Sequence, residues 1–297
     1  RQSSMSRHRS LQASMEWSYR LLSEPVRQCF KRLSVFRGSF TADAVAHVVN
    51  DETALDYLAQ LCDTSLLRPQ MSDRAIRFQM LDMLRIFGGE QLQPEERDET
   101  ERLHARYFRK IAEEARSHWN QPDESERLDE LSLDMENFRA AMAWALSNND
   151  TEATEIAYQI TSALVRVWRI RGLHKEGAAY LTRLLVRPVT EEEAPLALQA
   201  TALNAAGILT MTMGEHEQAS EWYRRCLVLL RQLRNKKSIA GLLNNIGSLE
   251  AERGNWSEAI KFCEESLTLY REMGDTGRIG AVLSNLGVVA LRSGDIT

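Results

Sequence analysis

The sequence predicts a mainly α-helical protein in three parts: a compact unit of short helices closed by one β-hairpin, a helical hairpin, and an α-solenoid. Three observations carry this. Gly207, Gly247 and Gly287 stand 40 residues apart, as do Gly214, Gly254 and Gly294. Around them, Leu203-Asn204-Ala205-Ala206-Gly207 returns as Leu243-Asn244-Asn245-Ile246-Gly247 and as Leu283-Ser284-Asn285-Leu286-Gly287. A repeat of that length marks stacked helix pairs, which present an extended surface to a partner. Helix formers dominate and only six prolines occur, while a 43% hydrophobic content suffices for a real core.

Charge narrows the function. Residues 1–92 carry 12 Lys/Arg against 10 Asp/Glu, and the remainder 25 against 32. Neither part has the basic excess of a phosphate-binding surface. Arg1, Arg7, His8 and Arg9 form a small basic cluster, read as a solvated linker over 1–10; a nucleic-acid arm is the alternative. Cys29, Cys62, Cys226 and Cys263 lie far apart and read as small buried apolar residues. That fits a reducing compartment. With no signal peptide and no long apolar run, a cytoplasmic protein without membrane contact is expected. The chain starts without Met and stops inside a repeat, as an excised piece of something longer would.

Residues 11–92 form the first unit. A helix over Leu11–Leu22 places Leu11, Met15, Tyr19 and Leu22 on one face. Ser23 as N-cap and Pro25 in the first turn start the next, which buries Val26, Phe30 and Leu33. A loop over Phe36–Phe40 leads to Thr41, the cap of a third helix running to Val49. A fourth spans Thr53–Ser65, with Leu55, Leu58, Leu61 and Cys62 inward. The period then changes. Residues 66–70 and 76–80 flank a turn at 71–74 and read as a β-hairpin, followed by a helix over Leu81–Leu92. Helices followed by one hairpin is the plan of a winged helix. Its third helix, Thr41 to Asn50, has no Arg or Lys, so direct nucleic-acid binding is not expected.

Residues 95–150 read as a linking hairpin. One helix runs Glu95–Trp119, with a stripe of Leu103, Tyr107, Ile111 and Ala115, and breaks at Asn120-Gln121-Pro122-Asp123. The other runs Glu124–Leu146 and buries Leu128, Leu131, Met135, Phe138, Met142 and Leu146. The solenoid occupies 151–297. A degenerate first unit has its turn glycine, Gly172, 42 residues before Gly214. Later units start near Pro195, Ser238 and Thr276, and the last has only its first helix. Gly207, Gly247 and Gly287 allow close helix approach, opposite Ala219 and Ala259. Gly214 and Gly254 act as C-caps. Leu203, Leu243 and Leu283 fill the core within each unit; Trp222, Phe262, Leu227 and Leu267 fill it between units.

This spacing resembles the tetratricopeptide repeat (TPR) in its long form, closely over 195–297 and loosely over 151–190. The usual proline ending each unit is replaced by Arg231 and Arg271, as in a lengthened second helix. Four ordered blocks extend the resemblance. They are Ser10–Leu22, Arg32–Phe40, Leu58–Leu67 with Phe78–Arg85, and Glu136–Ala145. In this order they look like the region after the nucleotide-binding domain of bacterial STAND-type ATP-binding regulators, AfsR-like or LuxR-like with an NB-ARC-type core. The resemblance implies that the winged helix packs on an NTPase domain and helps hold an inactive state, while the repeats receive the signal. No GxxxxGK[ST] occurs, so no phosphate-cradling loop is present. No cofactor is expected in this chain; ATP or ADP with Mg belongs to the upstream domain that the resemblance implies. No metal spacing and no catalytic motif occur, so an enzyme is not expected.

The candidate ligand contacts are Asn204, Asn244, Asn245 and Asn285, on first helices, which face the groove in tetratricopeptide arrays. An amide donates and accepts at once, so it can pin an extended peptide backbone. The alternative is that these amides bond neighbouring helices or water. Ile208, Met211 and Ser248, with Thr201 and Val288, complete a mostly apolar lining for a peptide or a protein helix. Arg166, Arg169 and Arg171, near Trp168, form a possible anion patch or else a solvated face beside a buried Trp. The expected role is signal sensing and autoinhibition in an ATP-dependent transcriptional regulator. The alternative is an interaction scaffold without a nucleotide switch.

Overall fold

The computed structural model describes residues 13–71, 76–119 and 121–293. The linker expected over 1–10, Leu11, most of the hairpin turn, Asn120 and Gly294 lie outside the described residues. The chain divides into two compact units between Asn148 and Asn149.

In the first unit, α1 covers residues 13–21. Next come α2 (Glu24–Leu33), β1 (Ser39–Thr41), α3 (Ala42–Val49), α4 (Ala54–Asp63), β2 (Arg68–Met71), β3 (Ile76–Gln79) and α5 (Asp82–Glu90). The expected hairpin is present as β2–β3. The loop read over Phe36–Phe40 also contributes a strand, giving an antiparallel sheet of order β1-β3-β2. Burial explains this: Phe40 sits opposite Phe78 and its ring stacks on Phe36, with centroids 4.4 Å apart. Thr41 ends that strand and also caps α3, accepting from the Ala44 amide. Ser23 occupies the N-cap of α2 with extended backbone, but its side chain makes no capping bond; Pro25 is in the first turn as expected.

The helix preceding the hairpin is α4, not α3, so α3 and α4 form the helix-turn-helix pair. Leu58 and Leu61 point inward, whereas Leu55, expected inward, is 59% exposed and Cys62 is half-buried. The outer face of α4 thus carries Leu55, Asp56, Ala59, Gln60 and Asp63.

The hairpin helices are α6 (Pro94–Ser117), α7 (Glu124–Leu133) and α8 (Met135–Ser147). Gln93 and Glu96 form a reciprocal capping box at the start of α6. The buried stripe of α6 is centred on His104, Tyr107, Phe108, Ala112 and Ala115, and Leu103 and Ile111 are only half-buried. The single helix expected over 124–146 is broken at Asp134. The break places the Asp134 carboxylate against the Arg77 guanidinium of β3. Arg77 also donates from Nε to Ser39 Oγ (2.8 Å) and from Nη2 to the Ser39 carbonyl (2.9 Å). Asn137 donates to the same carbonyl at 2.9 Å and accepts from the Arg37 amide at 2.7 Å. Strands β1 and β3 are therefore joined to the start of α8 through buried Arg77 and Asn137 and half-buried Ser39 and Asp134. Burial outweighs the pull of Arg77 on Asp134 and raises its carboxyl above the usual range.

The second unit contains α9 (Thr151–Ile170), α10 (His174–Val186), α11 (Leu196–Thr212), α12 (His216–Gln232), α13 (Lys236–Glu252), α14 (Trp256–Met273) and α15 (Thr276–Ser293). A Cβ on Gly207 would lie 2.2 Å from the Tyr223 ring, and one on Gly247 would lie 2.5 Å from Cys263 Sγ. The close approach expected at these glycines is real. Gly214 and Gly254 both sit at φ +79°, as left-handed caps. Cys226 Sγ donates to the Ala200 carbonyl, and 40 residues on Ser266 Oγ donates to the Ala240 carbonyl. Arg231 and Arg271 lie inside α12 and α14, as in lengthened second helices. Leu203 is 3% exposed and Leu243 fully buried, but Leu283 is 47% exposed. No helix among the described residues packs over that side of α15, and a Cβ on Gly287 would meet nothing within 4 Å.

The glycines should separate by sign. Gly207→Ala should lower stability by ~1–3 kcal/mol through overpacking against Tyr223. Gly287→Ala should be neutral or stabilising by up to ~1 kcal/mol, because helix propensity improves and nothing is displaced. Urea unfolding of the two variants checks this. A pH effect is expected from His104, which is fully buried 3.5 Å from Asn137 Oδ1. Desolvation pushes its pKa from 6.5 down to about 3. The folded pKa lies below the unfolded one, so this stabilisation is complete above pH 6.5 and lost as pH falls towards 3. A loss on the order of 2 kcal/mol by pH 5 should be measurable by denaturation, and His104→Gln should remove that slope.

Candidate ligand-binding groove

The four asparagines expected on first helices are brought together, and they bond one another. Asn245 Nδ2 on α13 donates to Asn204 Oδ1 on α11 at 3.0 Å. Asn285 Nδ2 on α15 donates to Asn244 Oδ1 at 3.0 Å and to Ser248 Oγ at 3.1 Å. Ser248 Oγ in turn donates to the Asn244 carbonyl at 3.1 Å. The spacing explains the pairing. Asn204 and Asn245 are 41 residues apart, as are Asn244 and Asn285. One repeat plus one residue turns the second amide towards the preceding first helix. All four side chains remain half-buried.

Each amide keeps unused capacity. Asn204 and Asn244 accept through Oδ1, which leaves their two N–H donors; Asn245 and Asn285 donate through Nδ2, which leaves Oδ1 as an acceptor. The ladder thus offers donor and acceptor side by side in both steps. Around it, Ile208, Met211 and Ser248 are half-buried, and Thr201 and Val288 are exposed.

The three arginines of the first unit lie at the C-terminal end of α9. The helix ends fix the register: α9, α11 and α13 end at Ile170, Thr212 and Glu252, and the following helices begin at His174, His216 and Trp256. Adding 42 residues therefore sets Ser162, Arg166 and Arg169 on Asn204, Ile208 and Met211. Arg171 instead occupies the C-cap of α9. Arg169 is exposed and Arg166 half-buried, while Trp168 between them is fully buried. The charge of Arg169 reaches the Tyr223 hydroxyl and draws its pKa down, against the larger upward push of burial.

Among the described residues, no group of three or more His, Cys, Asp or Glu could hold a metal ion, and no helix is long and apolar enough to cross a membrane. Cys29, Cys226 and Cys263 are buried free thiols, and burial pushes Cys29 and Cys226 up to about 12.

Comparison with known proteins supports both halves. Residues 22–93 match the winged helix-turn-helix domain family, and residues 238–297 match the tetratricopeptide repeat family. HTH-type transcriptional regulators of Mycobacterium bovis and of two strains of Mycobacterium tuberculosis are 29% identical over 187 residues. The match covers 60% of this chain, and it spans 20% of the length of those relatives. Among solved structures, a STAND protein with a tetratricopeptide repeat sensor from Pyrococcus horikoshii aligns over 93% of this chain and 42% of its own. Its identity is 16% and its TM-score 0.48. BtubC from P. vanneervenii aligns over 65% of this chain and 84% of its own, with 18% identity and a TM-score of 0.45.

Because the amides carry packing bonds, their loss should be felt in stability. Asn245→Ala should cost ~0.5–1.5 kcal/mol, and Asn285→Ala more, since it removes two bonds. Thermal unfolding of both variants beside Thr201→Ala, whose hydroxyl bonds only within its own helix, would show whether the ladder holds the repeats together.

Proposed function

We propose that this chain, with the winged-helix, helical-hairpin and tetratricopeptide organisation of bacterial STAND-type regulators, is the signal-receiving region of such a regulator. Its solenoid takes a peptide or protein segment along the first-helix face. The observation that supports this most is the asparagine ladder, which repeats with the helix pairs and keeps donors and acceptors beside one another. An extended backbone has the same alternation, so it can bond both steps without side-chain recognition.

The winged helix serves a partner domain rather than DNA in this reading. In a helix-turn-helix the second helix enters the major groove, and base readout there draws on Arg, Lys, Asn or Gln. Here that helix is α4, which exposes Asp56 and Asp63, contains no Arg or Lys, and offers Gln60 as its one amide. Two carboxylates facing phosphates disfavour binding. The polar joint of Arg77, Ser39, Asp134 and Asn137 makes the winged helix and hairpin one body. A signal arriving through the hairpin would therefore move the winged helix as a whole. ATP or ADP with Mg, and any hydrolysis, belong to a separate nucleotide-binding domain, and this chain acts without catalysis. A scaffold with no nucleotide switch is the second reading, favoured by the protein-binding character of tetratricopeptide repeats alone.

The test is calorimetric titration of the chain with peptide and metabolite pools from its own cell extract. Met211→Glu serves as the groove variant, because Met211 is half-buried in the lining and its side chain has no hydrogen bond to lose. Saturable binding that falls at least ~tenfold in Met211→Glu, with unchanged thermal stability, is the expected outcome. Saturable binding indifferent to Met211→Glu and to Asn244→Ala would place the site off this face.

A further inference from the structure

The second helices carry a surface of their own. Between Glu221 and Glu250 the chain has six cations, Arg224, Arg225, Arg231, Arg234, Lys236 and Lys237, and no carboxylate. On a chain of net charge −5 that is a concentrated positive run. Four of the six are engaged. Arg224 pairs with Glu221, Arg225 donates to the Leu185 carbonyl at 3.2 Å, and Lys236 and Lys237 pair with Glu272 and Asp275. Arg231 and Arg234 are exposed and, among the described residues, have no ion-pair partner.

The same surface is apolar at its centre. Val186 is 72% exposed and Val228 53%. They are 42 residues apart, as are the starts of α10 and α12, so they hold the same position on their two helices. The Arg225–Leu185 bond brings the end of α10 against α12 one turn before Val228, which sets the two valines on one surface. Arg231 follows Val228 by three residues and shares its face of α12. Arg183, also exposed, precedes Val186 by three residues on α10. The next repeat does not keep the patch: forty residues beyond Arg224, Arg225 and Val228 stand Glu264, Glu265 and Thr268. The carboxylates that follow Val186, Glu191 and Glu192, lie in the loop beyond α10, so the stronger positive rim is the one on α12.

Arg234 also holds a left-handed backbone, φ +50°, at the turn into α13. At the matching turn forty residues on, Gly274 takes φ +68° without strain. A charged side chain kept where glycine would be unstrained points to a use for its charge.

We propose that Val186 and Val228, rimmed by Arg183, Arg231 and Arg234, dock an acidic amphipathic segment of a partner protein. An apolar side chain of that segment covers the valines, and its Asp or Glu side chains meet the arginine forks. An apolar centre gains nothing against a phosphate backbone, which favours a protein segment over a nucleic acid. The surface lies on second helices, so it is separate from the first-helix groove and does not rest on the groove reading.

The probe is a library of synthetic amphipathic peptides, with an apolar stripe flanked by Asp and Glu, by Gln or by Lys, presented to the whole 297-residue chain. Selection of the acidic-flanked peptides is expected. The selected peptide should bind Arg231→Gln/Arg234→Gln and, separately, Val186→Ser/Val228→Ser at least ~tenfold more weakly. Arg234→Gly guards against a misfolded variant: it should raise thermal stability by relieving the turn and still weaken the acidic peptide. Met211→Glu should leave this binding unchanged. Equal binding of acidic-flanked and Gln-flanked peptides, or no peptide retained by the wild-type chain, would overturn the proposal. So would binding lost in Met211→Glu and kept in the valine variant, or duplex DNA held through Arg231 and Arg234 with the valines indifferent. The groove reading survives each of these results, because its own test is the loss of binding in Met211→Glu.

Discussion

The solenoid depends on one steric constraint, the contact of paired helices at a residue without a side chain. At Gly207 the Tyr223 ring occupies the space a Cβ would need, and at Gly247 the Cys263 thiol does. This close approach sets how far each second helix sits from its first. It also brings Cys226 and Ser266 within reach of the carbonyls of Ala200 and Ala240. The ladder between first helices follows from the same repeated geometry, because amides one repeat and one residue apart can meet only if successive helices keep a constant offset. The degenerate first repeat keeps the pattern with a different residue, Gly177, which lies against Trp168 and Leu209.

The first unit is organised differently. Its core is aromatic, from Tyr19, Phe30 and Phe87 at one end to Phe36, Phe40, His104 and Phe108 at the other. Its specificity comes from buried polar groups set among those rings. Arg77, Ser39, Asp134 and Asn137 join segments 38 to 98 residues apart. Buried charges are costly unless paired and hydrogen-bonded, so this arrangement penalises any other docking of the hairpin on the sheet. The joint contributes orientation more than net stability.

These two modes of construction give the chain its proposed division of labour. A repeat stack offers the same shallow chemistry several times, here through the paired asparagines of successive first helices. The winged helix keeps the helix-turn-helix scaffold but presents carboxylates and an exposed leucine where a DNA reader would carry cations. Its outer face is chemically suited to protein.

The sequence by itself determined the architecture: the helix pairs, their turn glycines, the hairpin and the order of parts are all periodic or punctuated signals written locally. Gly214, Pro25 and Thr41 do in the structure what their residue types require. The candidate asparagines were also legible, because repetition singles them out. Only the tertiary structure decided what they bond, since an amide facing solvent and one facing the next helix have the same local pattern. The same holds for the break at Asp134, the third strand at Phe40 and the outward Leu55. Asp134 reads as one more polar residue in a helical run until Arg77 arrives from 57 residues away. Phe40 pairs as a strand only because Phe78 is opposite it. Leu55 has the spacing of a core residue, but no element among the described residues covers that turn of α4. The register that sets Arg169 on Met211 follows the 42-residue offset from Gly172 to Gly214, and the helix ends of the structure agree with it. Periodicity encodes which face of an element is apolar; the meeting of distant residues sets which polar groups become partners and which faces stay open.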